Sequence, residues 1–136
     1  MLRPVDERMT ISSWRSPSAT FLCLPMCPST NARTQPVRMG RKCRAILTEE
    51  ARSYIEVVGL QLKYWCRRER FVPIAYYRPV EMWFVTSRSN VDAHNHLKIL
   101  CDALEQGGVV VNDKYILPRV MGVFSEPKKP EIIIRL

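Results

Sequence analysis

Asp92, His94, Lys98, Asp102 and Asp113 fall within one stretch, Asn90 to Ile116, that reads NVDAHNHLKILCDALEQGGVVVNDKYI. Carboxylates and a lysine at this spacing suit a hard divalent cation. Magnesium takes oxygen ligands, keeps several waters, and is commonly held by one or two carboxylates together with substrate phosphate oxygens. Such a cation polarises a phosphoryl group and lowers the pKa of a bound water, while a nearby lysine offsets charge on the phosphate or on the leaving oxygen. The same residues also read as the solvated side of an ordinary helix, and spacing alone leaves both readings open.

The elements that must position these groups follow from periodicity. The spacing predicts a helix over Asn95 to Gln106, with Leu97, Leu100, Cys101 and Leu104 at i, i+3, i+4 and i+7 as its apolar stripe. Asn95, Lys98, Asp102 and Glu105 then share the other face, because residues three or four apart are neighbours on a helix surface. Asp92 stands just before the helix, placed either to cap its free N–H groups or to face a ligand. Gly107-Gly108 is expected to end the helix through the left-handed conformation that glycine adopts without steric cost. Val109-Val110-Val111 leads to Asn112-Asp113, and a return path of that length brings Asp113 back towards the helix start, beside Asp92.

The pattern Asp92-x-His94-Asn95-x-x-Lys98, then Asp102-Ala103-Leu104, then Gly108-Val109 and Asp113 followed by Ile116 resembles the signature of the RusA family of Holliday junction resolvases. That family reads D-x-D-N-x-x-K, D-A-L, a glycine with a hydrophobic pair, and D-D. Upstream, Phe21 to Asn31 (FLCLPMCPSTN) resembles the family's opening strand and its L-P-x-P-P-S-x-N segment. Thr48 to Tyr54 resembles the start of its first long helix. The resemblance implies a small homodimeric, magnesium-dependent endonuclease that cuts four-way DNA junctions symmetrically. It assigns metal binding to Asp92 and Asp113, and the catalytic lysine to Lys98.

Two positions depart from the family pattern. His94 stands where the family has a motif aspartate, and neutral imidazole ligates manganese more readily, relative to magnesium, than a carboxylate does. Asn112 replaces the first aspartate of the D-D pair. The expected site is therefore Asp92, His94 and Asp113 around Mg2+, with Mn2+ as the other metal, and Lys98 on the scissile phosphate. Asn95, Asp102 and Asn112 are expected to support the ligands from behind. Two other readings stand beside this one: a catalytically weakened binder of branched DNA with the same fold, and an unrelated basic RNA- or ribosome-associated protein.

The chain of 136 residues carries a net charge of +8, unevenly spread. Residues 33 to 70 hold ten Lys/Arg against four Glu, whereas 91 to 136 hold six of each sign. A basic half beside an acidic cluster fits a metal nuclease, one surface attracting phosphates and the other holding the cation. The segment Asn31 to Arg44 reads as a loop with Arg33, Arg38, Arg41, Lys42 and Arg44. It is expected to contact DNA phosphates together with Arg88, positioning the duplex arms without reading sequence.

The five cysteines form no C-x-x-C pair, which argues against a disulfide scaffold. A zinc site from Cys23, Cys27, His94 and His96 lacks any standard finger spacing. No apolar run reaches the ~18 residues of a membrane span. The expected location is the cytoplasm of a bacterial cell, with a phage or prophage gene as one origin.

Residues 1–18 read as a poorly ordered extension and 19–136 as the nuclease domain. Within that domain, strands are expected at 20–24, Val80 to Thr86, Tyr115 to Phe124 with a break at Pro118, and Glu131 to Leu136. Thr48 caps a core helix with the stripe Ala51, Tyr54, Ile55, Val58, Leu62 and Trp65. The order strand, helix, strand, helix, strand, strand predicts an α+β fold, a mixed β-sheet with two main helices packed on it.

Overall fold

Strand and helix periods alternate along the chain, and the computed structural model resolves them into a five-stranded mixed sheet, two helices and a separate two-stranded hairpin. It describes residues 10–28, 42–87, 92–126 and 128–136, together with 34–39, and in 34–39 and 42–46 the backbone alone. The strands are β1 (Ser12–Ser16), β2 (Ala19–Pro25), β3 (Thr34–Met39), β4 (Lys42–Leu47), β5 (Arg78–Thr86), β6 (Ile116–Ser125) and β7 (Glu131–Arg135). The helices are α1 (Glu49–Glu69) and α2 (His94–Gln106).

The five-stranded sheet has the order β1-β2-β7-β5-β6. All its pairings are antiparallel except β5 with β6, which are parallel. A parallel pair needs a crossover between its strands, and α2 supplies it. Period-two alternation sends Val80, Met82, Phe84 and Thr86 of β5 inward, level with Ile132 and Ile134 of β7 and Leu22 and Leu24 of β2. These side chains form one core with Tyr54, Val58, Leu62 and Trp65 of α1 and Ile99, Leu100, Ala103 and Leu104 of α2. Each fully buried Leu or Ile contributes about 1.5–3 kcal/mol relative to exposure.

The predicted α+β architecture and its element order hold from β2 to β7. Three details differ. The loop expected at Asn31 to Arg44 contains an antiparallel hairpin, with Val37 opposite Arg44, Arg38 opposite Cys43 and Met39 opposite Lys42. Its basic residues masked an apolar–basic alternation, Val37-Arg38-Met39 and Lys42-Cys43-Arg44-Ala45, that is the signature of a strand. Ser12–Ser16, inside the expected extension, is an edge strand on β2, and Trp14 stacks on Phe21 with centroids 5.1 Å apart. Residues 1–9 lie outside the described residues. Finally, β6 runs through Pro118 without a break. As the outermost strand of the sheet it tolerates a residue with no N–H to donate.

Candidate active site

Helix α2 sets the positions of the candidate groups, and its fit against α1 sets α2. Gly107 has φ −79°, ordinary right-handed backbone, so the left-handed turn expected of the pair Gly107-Gly108 belongs to Gly108 alone, at φ 79°. The N–H of Gly108 donates to the carbonyl of Glu105 at 3.1 Å and that of Val109 to Leu104 at 3.0 Å, closing the helix in a Schellman turn. Gly107 serves a different purpose. A Cβ there would lie 2.4 Å from Cβ of Leu62, so α1 and α2 approach too closely for any side chain.

The apolar stripe is rotated slightly from the expected one. Leu100, Cys101 and Leu104 are buried, Ile99 and Ala103 join them, and Leu97 is half-buried. Five apolar positions on so short a helix make the stripe wide, and Ile99 belonged to it.

After α2 the chain returns beside the segment that precedes β5. Ile74 N–H donates to Val109 O at 2.9 Å and Val111 N–H donates to Ile74 O at 2.9 Å, a short parallel bridge that fixes the path. Asn112 then caps a 3-10 turn, Asp113–Tyr115, its side chain accepting from Lys114 N–H at 3.0 Å. This arrival places Asp113 on the flank of α2. Its carboxylate accepts from Lys98 Nζ at 2.6 Å, and its backbone N–H donates to Glu105 Oε1 at 3.1 Å. Lys98 Nζ also lies 3.0 Å from Asp102 Oδ1, one helical turn on. The Asp113 and Asp102 carboxylates hold the Lys98 ammonium above its ordinary pKa, the bond to Asp113 contributing most.

The remaining candidates stand at the start of α2. Asp92 accepts from the His94 N–H at 3.0 Å, which makes it a partner of the helix start. His94 is exposed and Asn95 half-buried, with the Asn95 N–H on Asp92 O at 3.1 Å. Among the described residues no three His, Cys, Asp or Glu side chains are arranged to hold a metal ion. Asp92, His94 and Asp113 thus do not form a three-donor cluster, and the carboxylates that do converge are Asp102 and Asp113, on Lys98. The chemistry still fits a hard cation, because both acids already surround one positive charge and magnesium needs only one or two carboxylates from the protein.

Cys27, Cys23 and His96, considered above for zinc, make other bonds. Cys27 Sγ donates to His96 O at 3.2 Å and His96 Nδ1 lies 2.8 Å from Cys27 O, a reciprocal clasp between the end of β2 and the first turn of α2. Burial pushes the Cys27 thiol up to about 12, so it stays protonated at neutral pH and serves as the donor in this clasp. Cys23 Sγ donates to Glu131 Oε2 at 2.9 Å.

For the expected DNA contacts, Arg38, Lys42 and Arg44 fall on the β3–β4 hairpin, and Arg33, Arg41 and Arg88 lie outside the described residues. That Glu105 anchors the Asp113 backbone was not foreseen, although its place three residues after Asp102 on the same face was visible.

The family model for Endodeoxyribonuclease RusA matches residues 25–136. The chain belongs to the RusA endodeoxyribonuclease family. The match takes in the last residue of β2, both helices and every later strand, and with them the whole RusA cassette around Lys98 and Asp113. Among the described residues, β1 and most of β2 precede it. No curated protein matches the chain. Among the described residues no helix is long and apolar enough to cross a membrane.

Proposed function

We propose that this RusA-family chain is a metal-dependent endodeoxyribonuclease that resolves four-way (Holliday) DNA junctions by paired symmetric nicks, acting as a homodimer in recombination and repair. The observation that carries the reading is the single ammonium of Lys98 set between Asp113 at 2.6 Å and Asp102 at 3.0 Å, within the family's own cassette. Two acids gathered on one cation define where positive charge is stable. Asp113 and Asp92 would hold Mg2+, or Mn2+, with His94 beside Asp92. A bound divalent ion supplies polarisation of the scissile phosphate and a more acidic water.

The chain's own groups account for the remaining roles. Lys98, kept protonated by its two acids, is suited to offset negative charge on the phosphate and unsuited to act as a general base at neutral pH. Glu105 and the Asn112 cap fix the backbone on either side of the Asp113 carboxylate. The Arg38, Lys42 and Arg44 hairpin and the net charge of +8 favour a polyanionic partner. A C2 dimer would present two identical sites to the two equivalent strands of a junction.

Two observations favour a second reading, a branched-DNA binder with weakened catalysis. His94 is exposed in the place of a family carboxylate, and the Asn112 side chain is committed to capping Lys114 N–H. A nicking assay on a synthetic four-way junction separates the two. Mg2+- or Mn2+-dependent products that vanish in Asp92→Asn support the nuclease. Tight metal-independent binding without product, with cutting gained in His94→Asp, supports the binder.

A further inference from the structure

Beside the Lys98–Asp113 pair lies an aromatic cluster that the cleavage chemistry does not use. β5 and β6 are parallel and in register at Arg78 and Ile116, so the residues just before each strand, Tyr77 and Tyr115, arrive at the same rim of the sheet. Their rings meet edge to face, with centroids 5.3 Å apart and planes at 73°. Tyr115 ends the same 3-10 turn that begins with Asp113, which puts the pair next to the candidate catalytic carboxylate. Tyr115 is half-buried against the core and so is held firmly, whereas Tyr77 is 63% exposed. A cation accompanies the pair: Lys114 Nζ sits 5.0 Å from the Tyr115 centroid.

An exposed tyrosine alone needs no explanation, since single apolar side chains are common on surfaces. Here two rings meet, one of them beside a lysine ammonium, and the segments leading into the rim carry the further exposed side chains Tyr76 at 61% and Val111 at 60%. Rigid aromatic faces beside cations are what an unstacked nucleobase and its phosphate require, the ring taking the base and the cations the backbone. A fully paired duplex keeps its bases stacked and offers nothing to such a surface. A branch point, where stacking is interrupted, does.

We infer that Tyr77 and Tyr115, with Lys114, form a stacking platform for a nucleobase released at the branch point, next to the phosphate that Lys98 serves. This inference rests on the junction reading proposed above and adds the feature by which the site distinguishes branched from linear DNA. The platform positions the strand and takes no part in bond breaking.

The test measures equilibrium affinity by fluorescence anisotropy in chelator, so that no cutting occurs, for the full chain with Tyr77→Ala, Tyr77→Phe and Tyr64→Ala. The probes are a four-way junction, the same junction with abasic nucleotides at the branch point, and linear duplex. Tyr77→Ala is expected to weaken binding of the intact junction about tenfold, within the roughly 5- to 150-fold that one aromatic–base stack is worth. Its affinity for the abasic junction stays at the wild-type value. Tyr77→Phe retains wild-type affinity because the flat ring remains, and Tyr64→Ala, an exposed tyrosine on α1, changes neither probe. An equal loss on intact and abasic junctions, or no loss on either, overturns the platform. Wild-type protein that binds junction no better than duplex instead overturns the junction reading itself, a result visible before any variant is compared.

Discussion

Helices α1 and α2 lie against each other under the same sheet, yet their ends are finished in different ways. Thr48 caps α1 by accepting from Ala51 N–H at 3.2 Å, Glu49 and Glu50 fill its first turn, and Arg67 and Arg68 its last. Each of these choices complements the free N–H and C=O groups or the helix dipole. Its far end closes through Arg70 at φ 51°, with Phe71 N–H on Cys66 O at 2.9 Å. α2 has Ala93 at the capping position, no acid in its first turn and no base in its last. Its charged residues are used sideways, with Lys98, Asp102 and Glu105 directed at Asp113 and at one another. One helix finishes its ends with its own polar residues and the other turns its charged face to the site, which is where local rules of helix design are expected to fail.

That contrast can be broken in order of effect. Lys98→Ala should lower the junction nicking rate about 100- to 1000-fold, the scale of losing one preorganised charge-stabilising group, with junction affinity and melting temperature nearly unchanged. Equal loss of binding would make Lys98 a docking contact. Gly107→Ala should destabilise the fold by about 1–3 kcal/mol, because the added methyl collides with Leu62 where the helices touch. Denaturant unfolding at fixed pH reads this directly, and a neutral result would mean that the helices can separate at no cost.

On α1, Thr48→Ala should cost about 1 kcal/mol of stability through the lost cap and leave the nicking rate of folded protein intact. A matching drop in rate would make α1 part of the site. The smallest effect concerns pH. Because the pKa of Lys98 is raised in the folded state, its contribution is fully present below the ordinary lysine value of 10.5 and fades as pH rises through the folded value. The metal-free stability gap between wild type and Lys98→Met should therefore be flat from pH 7 to about 10 and close above that. It should stay under about 1 kcal/mol, since the lysine is half-exposed and water screens the pair.

The same contrast explains how much was legible in the chain. α1 could be placed from its cap and stripe because its residues obey helix rules, and β5 and β7 because their apolar alternation is strong. The hairpin β3–β4 was hidden by its arginines and lysines, whose charge suggested a loop although every second residue was apolar. The spacing of the cassette pointed to Asp113 returning towards the start of α2, beside Asp92, whereas the contacts it makes are with Lys98 and Glu105 further along the helix. Which residues would greet it depended on the Ile74–Val110 bridge and on the Asn112 cap, contacts between segments far apart in sequence that no local pattern encodes. Asp92 was ambiguous for a similar reason, since one carboxylate before a helix serves as cap or as ligand; its Oδ1 accepts from the His94 N–H, and its second oxygen is left for the role proposed above.

The clasp between Cys27 and His96 gives the molecule a mechanical property. Beyond Cys27 the polypeptide continues to the basic hairpin, and two residues beyond His96 stands Lys98. Two bonds join these segments at a half-buried point. A disturbance at the Cys27 end of the clasp therefore reaches the root of α2, two residues from Lys98.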